Sequence, residues 1–203
     1  MTDTGLIKCR SELLVPVIED ITELILLIRN AFNRQKISYL NDANQIQNRV
    51  SQEISNGKNN LKSFSGKELE KKKAVQIESI FSHLELVSEA TSELRDPIRK
   101  QISEGILFSD KAISQTNFLF DHQAGLFRSL ADIFLTDNQI LENYVTSKVV
   151  EMDKLCIDFA TDHEARLIEG LCQPKAAPIF LAILDSIRII SHHEREILQL
   201  LKN

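Results

Sequence analysis

An all-α fold of two tandem, antiparallel three-helix repeats follows from three features of the sequence. Punctuation is sparse: 203 residues hold six glycines, four prolines and no tryptophan. Leu, Glu, Lys and Gln, whose straight side chains lose little rotamer freedom in a helix, fill the space between. Apolar residues recur at helical spacing along almost the whole chain. Finally, a stretch near the C-terminus overlays one in the first half. A hydrophobic share of 43% beside 26% charged residues is the balance of a globular core and excludes a disordered chain.

Residues 12 to 33, ELLVPVIEDITELILLIRNAFN, place Leu14, Val17, Ile21, Leu24, Ile28 and Phe32 on one helical stripe; residues 37 to 55 continue with more polar character, as two helices or one bent one. NGKNNLKSFSGK, 56 to 67, has the composition of a loop, with Gly57 placed to end the helix before it. Helical pattern resumes at Glu68 and runs to about Ile106. Pro97 predicts a kink or break near Asp96, because proline lacks a donor and crowds the preceding turn. Ser109-Asp110 caps a helix carrying Ile113, Phe118, Phe120, Phe127, Leu130 and Phe134. Thr136-Asp137-Asn138 separates it from a helix that runs from about Gln139 to Glu169 and is stopped by Gly170. Gln173-Pro174 opens the last, from Lys175 to Leu201.

Offset by 103 positions, AVQIESIFSHLELVSEATSEL (74 to 94) lies over APIFLAILDSIRIISHHEREI (177 to 197). Ile77 meets Phe180, Ile80 meets Ile183, Leu84 meets Ile187 and Val87 meets Ile190, apolar on apolar. Upstream, NQIQNRVSQ (44 to 52) resembles NQILENYVT (138 to 146) at a different offset, as an insertion produces. One domain results, with repeats at about 10 to 106 and 109 to 202.

A formal charge of -5 gives no overall basic field, which argues against nucleic acid as a partner; Lys71-Lys72-Lys73 reads as a solvated helix face. Cys9, Cys156 and Cys172 are odd in number, widely spaced and without a CxxC, which argues against a disulfide framework and a thiolate zinc site and fits a reducing compartment. The N-terminus lacks the pattern of a signal peptide, and no apolar run approaches the ~20 residues that cross a bilayer. The expectation is a cytoplasmic chain that does not itself transport.

On the last helix, with ~100° per residue, Ile187 centres the buried stripe. Asp185, Arg188 and His192 then fall on one polar edge, and His193 on the opposite flank, where an exposed histidine near a helix C-terminus suits the dipole without further function. The same edge of the earlier repeat carries Glu78, Ser82, Glu85 and Glu89. Glu85 and Glu89, one turn apart, repel unless something neutralises them, and a bound cation would do so; an ordinary solvated face is the alternative.

These residues resemble the PhoU family, including the PhoU-like cytoplasmic domains found with sodium/phosphate cotransporters. In that family the third helix of each repeat carries an E/D-x-x-x-D motif within a segment such as LERIGDH, and the helix starts as QP-x-A. Here the second repeat reads QPKAAPIFLAILDSIRIISHH (173 to 193), the first reads HLELVSEA (83 to 90), and HEARLIEGLCQP (163 to 174) is similar to the transporter-associated versions. The resemblance implies a regulator of phosphate uptake that touches a membrane phosphate transporter or its signalling partner, works at the inner face of the membrane, can form a homodimer and binds iron or zinc. Glu85 and Glu89 match the first motif; in the second, Arg188 and His192 stand at the acidic positions, leaving His192 and Asp185 as metal ligands and Arg188 as a grip on an anion.

Catalytic signatures are missing. No histidine follows a glutamate by three positions as a di-metal carboxylate bundle requires, no His-Glu-x-x-His occurs, and there is no phosphate loop, dinucleotide fingerprint or nucleophile elbow. Two non-enzymatic alternatives are a histidine phosphotransfer bundle using His192 or His193, against which stands the absent His-x-Lys-Gly context, and a bundle that only binds protein. For the latter, NFLFDHQAGLF (117 to 127) offers either an apolar surface or buried core. Asp121, His122, Asp162 and His163 are read as surface residues.

Overall fold

Seven α-helices account for nearly all of residues 3–62 and 68–202, which the computed structural model describes, with side chains over 10–61 and 71–202. They are α1 Asp3–Arg34, α2 Ile37–Lys62, α3 Glu68–Glu93, α4 Arg95–Glu104, α5 Asp110–Thr136, α6 Gln139–Ile168 and α7 Ala177–Lys202. No strand occurs among the described residues.

Most boundaries follow the sequence signals. Gln35 adopts a left-handed conformation (φ 50°) and separates α1 from α2, so the first two segments are two helices. The Ser109 hydroxyl accepts from the Ala112 amide at the start of α5, and the Asn138 side chain accepts from the Ile140 and Leu141 amides at the start of α6. Gly170 (φ 73°) ends α6, with the Leu171 amide returning to the Arg166 carbonyl, and Pro174 opens a 3-10 turn, Pro174–Ala176, that leads into α7.

Two boundaries differ from the sequence reading. The break before Pro97 falls at Leu94, because the proline ring would crowd the Glu93 carbonyl four residues back. Restarting at Arg95 puts Pro97 in the first turn of α4, where a missing amide hydrogen costs nothing. The expected loop at 56–67 is helical through Lys62, and 63–67 lie outside the described residues. Gly57 does not end α2. It is buried inside it, and a Cβ there would stand 2.3 Å from Cζ of Phe81 on α3. Glycine is kept because the two helices approach so closely at this point, even though it weakens a helix interior by about 1 kcal/mol.

The helices pack as two copies of one motif. Within the first repeat α1 packs on α2 and α3, and α2 on α3; within the second α5 packs on α6 and α7, and α6 on α7. The repeats join through α1 against α5 and α3 against α7. One hydrophobic core runs through both, including Leu14, Ile21 and Ile28 of α1 and the fully buried Phe81, Phe120, Phe127, Phe134 and Phe180. The phenylalanine-rich stretch of α5 is therefore mostly core: Leu119, Phe120 and Phe127 are buried, and of its phenylalanines only Phe118 is exposed, stacked on His122.

Candidate functional site

Residues 84 and 187 were expected at the centres of the two buried stripes, and both are fully buried where α3 and α7 meet. The two helices run antiparallel. The Gln76 amide donates to the Leu200 carbonyl, His83 meets His193, and the Ser186 hydroxyl donates to the Ala90 carbonyl, so contacts recur every seven residues along both helices. Adding the 103-residue offset to positions 83 and 90 gives 186 and 193. The contact 83 with 193 and the contact 186 with 90 are therefore the same contact seen from either repeat, as two copies facing each other across a local two-fold require.

The polar edges of this seam lie where the sequence put them. Glu85 and Glu89 are exposed on α3, and Asp185, Arg188 and His192 on α7. What the sequence could not show is the second helix of each repeat. Lys58, carried by α2 immediately after the close approach at Gly57, donates to Glu85 at 2.7 Å. In the second repeat Asp153 of α6 accepts from Arg188 at 2.8 Å. Arg188 is the offset counterpart of Glu85, so the ion pair is retained with its polarity reversed: acid on the third helix and base on the second in one repeat, base on the third and acid on the second in the other.

Lys58 thus supplies the neutralisation for which a bound cation was the alternative. Among the described residues no three His, Cys, Asp or Glu side chains converge as a metal site, so the acidic edge as it stands does not fit an iron or zinc cluster. Glu89 borders a polar cleft of about 540 Å³ with Asn44, Gln47, Arg95 and Arg99. Asp185 and His192 border one of about 660 Å³ with Asp153, Arg188 and Arg195. The Arg195 guanidinium donates to Nδ1 of His192 at 3.1 Å.

Two histidines are placed differently from the sequence reading, and one buried carboxyl, Glu194, was not singled out by it. His193 is half-buried, and its Nδ1 lies 3.1 Å from Nδ1 of His83 across the seam. Burial pulls both imidazoles below the usual histidine range, so both rings are neutral at pH 7. His163 is also inside: it is 2% exposed, packed against the Phe180 ring, with neither ring nitrogen hydrogen-bonded to protein. Glu194 is fully buried and accepts from the Gln123 amide at 2.6 Å, while Gln123 accepts from the Ser191 hydroxyl at 3.1 Å. Desolvation pushes its carboxyl up to about 8 against a modest pull from Gln123. A signal for Glu194 existed, since at ~100° per residue it falls within about 20° of Ile187, on the core stripe itself.

Of the other surface candidates, Asp121 and Asp162 are exposed as expected, and His122 is half-buried, stacked on Phe118. Asp121 pairs with Arg29 at 2.8 Å, and Asp162 accepts from Gln115 at 3.2 Å, both exposed. Cys156 is buried with its thiol pushed up to about 12 by desolvation, which leaves it protonated and a poor nucleophile. Cys156 and Cys172 are free thiols; the Cys9 side chain lies outside the described residues.

No family model and no curated protein matches the chain by sequence. Solved structures match it over nearly its full length. PhoU from Pseudomonas aeruginosa superposes with a TM-score of 0.76 at 16% identity, covering 99% of this chain and 97% of that one. The phosphate transport system regulatory protein PhoU from Streptococcus pneumoniae gives 0.84 at 11% identity over 99% and 95%. A PhoU-like protein from Shewanella oneidensis gives 0.57 at 13% over 95% and 97%. The chain has the PhoU fold.

Proposed function

We propose that this chain is a non-catalytic regulator of phosphate uptake, acting on a membrane phosphate transporter or its signalling partner from the cytoplasmic side. The observation that carries this is the match to PhoU structures over 99% of this chain, one of them named a phosphate transport system regulatory protein. The site chemistry agrees. Glu85 is paired with Lys58 and Arg188 with Asp153, the buried Cys156 thiol of α6 is held protonated, and no helix among the described residues is long and apolar enough to cross a membrane. A protein built this way acts through its surfaces. Phosphotransfer has less support, because Nδ1 of His192 is held by Arg195 and Nδ1 of His193 faces His83.

Uptake of radiolabelled phosphate by cells grown with ample phosphate tests this. Deleting the chain raises uptake and restoring it lowers uptake again; a rate that moves in neither case refutes the regulatory role.

A further inference from the structure

Helices α6 and α7 enclose a groove with exposed apolar walls. We propose that it is the docking surface for an amphipathic helix of another protein, one that carries apolar anchors on one face and Lys or Arg beside them. Who that partner is rests on the regulatory reading above; the chemistry of the groove does not.

Extent is the first argument. A cleft of about 660 Å³ beside Ile189 and one of about 430 Å³ beside Ile157 and Leu181 meet at Asp185 and Arg188, which line both. Together they follow α7 from Leu181 to Arg195, roughly 21 Å or four helical turns at 1.5 Å per residue. A long furrow between two packed helices is the shape that receives a third. Both walls are helix interior, where backbone groups are already paired, so a strand has nothing to add to.

Exposed apolar surface is the second. At ~100° per residue, Val150, Ile157 and Ile168 fall within about 20° of one another on α6. Leu181 and Ile189 line the groove from α7. Val150, Ile157, Leu181 and Ile189 are 42–54% exposed, and Ile168 more so. Single exposed leucines are ordinary, but a run of them along one furrow marks a surface that something covers. The fold does not demand it: at the 103-residue offset Glu78 stands where Leu181 does, and the cleft between α2 and α3 in the first repeat is polar.

Charge is the third, and it selects the partner. Asp153 is taken by Arg188 at 2.8 Å. Glu164 and Asp185 line the cleft that holds Ile157 and Leu181, and neither has an ion pair among the described residues. That half of the groove is therefore acidic, and a helix gains by laying Lys or Arg over the two carboxylates. A neutral or acidic helix would desolvate them without a counter-charge.

Fluorescence anisotropy of the full chain with a labelled amphipathic peptide tests the surface. The probe is about five helical turns long, with leucines on one face and lysines beside them. It binds saturably, one per chain, and less tightly in molar salt; the same peptide with glutamate for lysine binds weaker by roughly tenfold or more. Ile157→Gln and Leu181→Gln each weaken binding about tenfold, as loss of one half-exposed anchor predicts. Glu164→Gln with Asp185→Asn removes most of the salt dependence. Leu86→Gln, at a similarly exposed leucine of the first repeat, binds as the wild type does. All these side chains are exposed, and circular dichroism checks that each variant keeps the fold. Absence of saturable binding overturns the proposal, as does equal binding of the glutamate peptide or an equal loss in Leu86→Gln. Self-association of the chain that Leu181→Gln abolishes assigns the groove to a second copy and overturns it too. Phosphate uptake plays no part in this readout, so the docking surface and the regulatory role fail separately.

Discussion

Replacing Glu194 with glutamine should flatten the pH dependence of stability. The carboxyl is fully buried, with Gln123 donating to one oxygen and no hydrogen bond to the other. Burial raises it from an ordinary 4.5 to about 8. Because the folded pKa is the higher one, the folded chain holds a proton that the unfolded chain releases. The stabilisation is complete below about pH 4.5 and is lost as pH rises toward the folded pKa, at ~1.4 kcal/mol per pH unit. Between pH 4.5 and pH 7 this amounts to roughly 3 kcal/mol, a large part of the stability of a domain. Urea denaturation of wild type and Glu194→Gln in chelator, from pH 5 to pH 8, gives the difference between the two curves. The wild type should lose stability relative to the variant by about 1 kcal/mol or more per unit. Parallel curves, or a wild type that gains on the variant as pH rises, would refute the placement of an ionisable carboxyl in the core.

Gly57→Ala should destabilise by about 1–3 kcal/mol in thermal melts despite the better helix former, because the new methyl meets the buried Phe81 ring; a companion Phe81→Leu recovers part of the loss, and a Gly57→Ala chain as stable as wild type refutes the close approach. The ion pairs Lys58–Glu85 and Arg188–Asp153 are exposed enough that double-mutant cycles should return couplings below about 1 kcal/mol that fade in molar salt; larger, salt-resistant couplings would show the edges to be structural. His163→Leu should leave the chain as stable or raise stability by about 1 kcal/mol, since it removes buried ring nitrogens that have no protein partner; a loss above 2 kcal/mol would mean that the imidazole is hydrogen-bonded after all.

The fold was legible because its signals are local. Helix periodicity, the Ser109 and Asn138 caps, Gly170 and Pro174 each act within a turn or two of where they stand. The failures are those where a neighbour in space overrides a local rule. Gly57 reads as a helix stop until Phe81 is seen against it, and the kink or break expected near Asp96 is a break two residues upstream, at Leu94, where the Glu93 carbonyl would be crowded. The site divides the same way. Angles on one helix put Glu85, Glu89, Asp185, Arg188 and His192 on exposed edges, but no angle could reveal that Lys58 and Asp153 complete them from other helices. His193 was on the expected flank, yet its meaning lies in His83, which belongs to the other repeat.

The seam between the third helices also shows how the two repeats have diverged. Identical repeats facing across a two-fold would make the same contact at both ends. Here one end is sealed by Ser186 on the Ala90 carbonyl, both residues 4% exposed. The other holds the two half-buried imidazoles of His83 and His193, with His192 and its partner Arg195 beside them on α7. Half-buried polar groups give up hydration for little gain in folding energy. Apolar pairs of the kind that line the rest of the seam would hold the helices together at least as well. The two ends therefore keep the pairing geometry of the two-fold while the groups that make it have changed, from a hydroxyl on a carbonyl to two facing imidazoles.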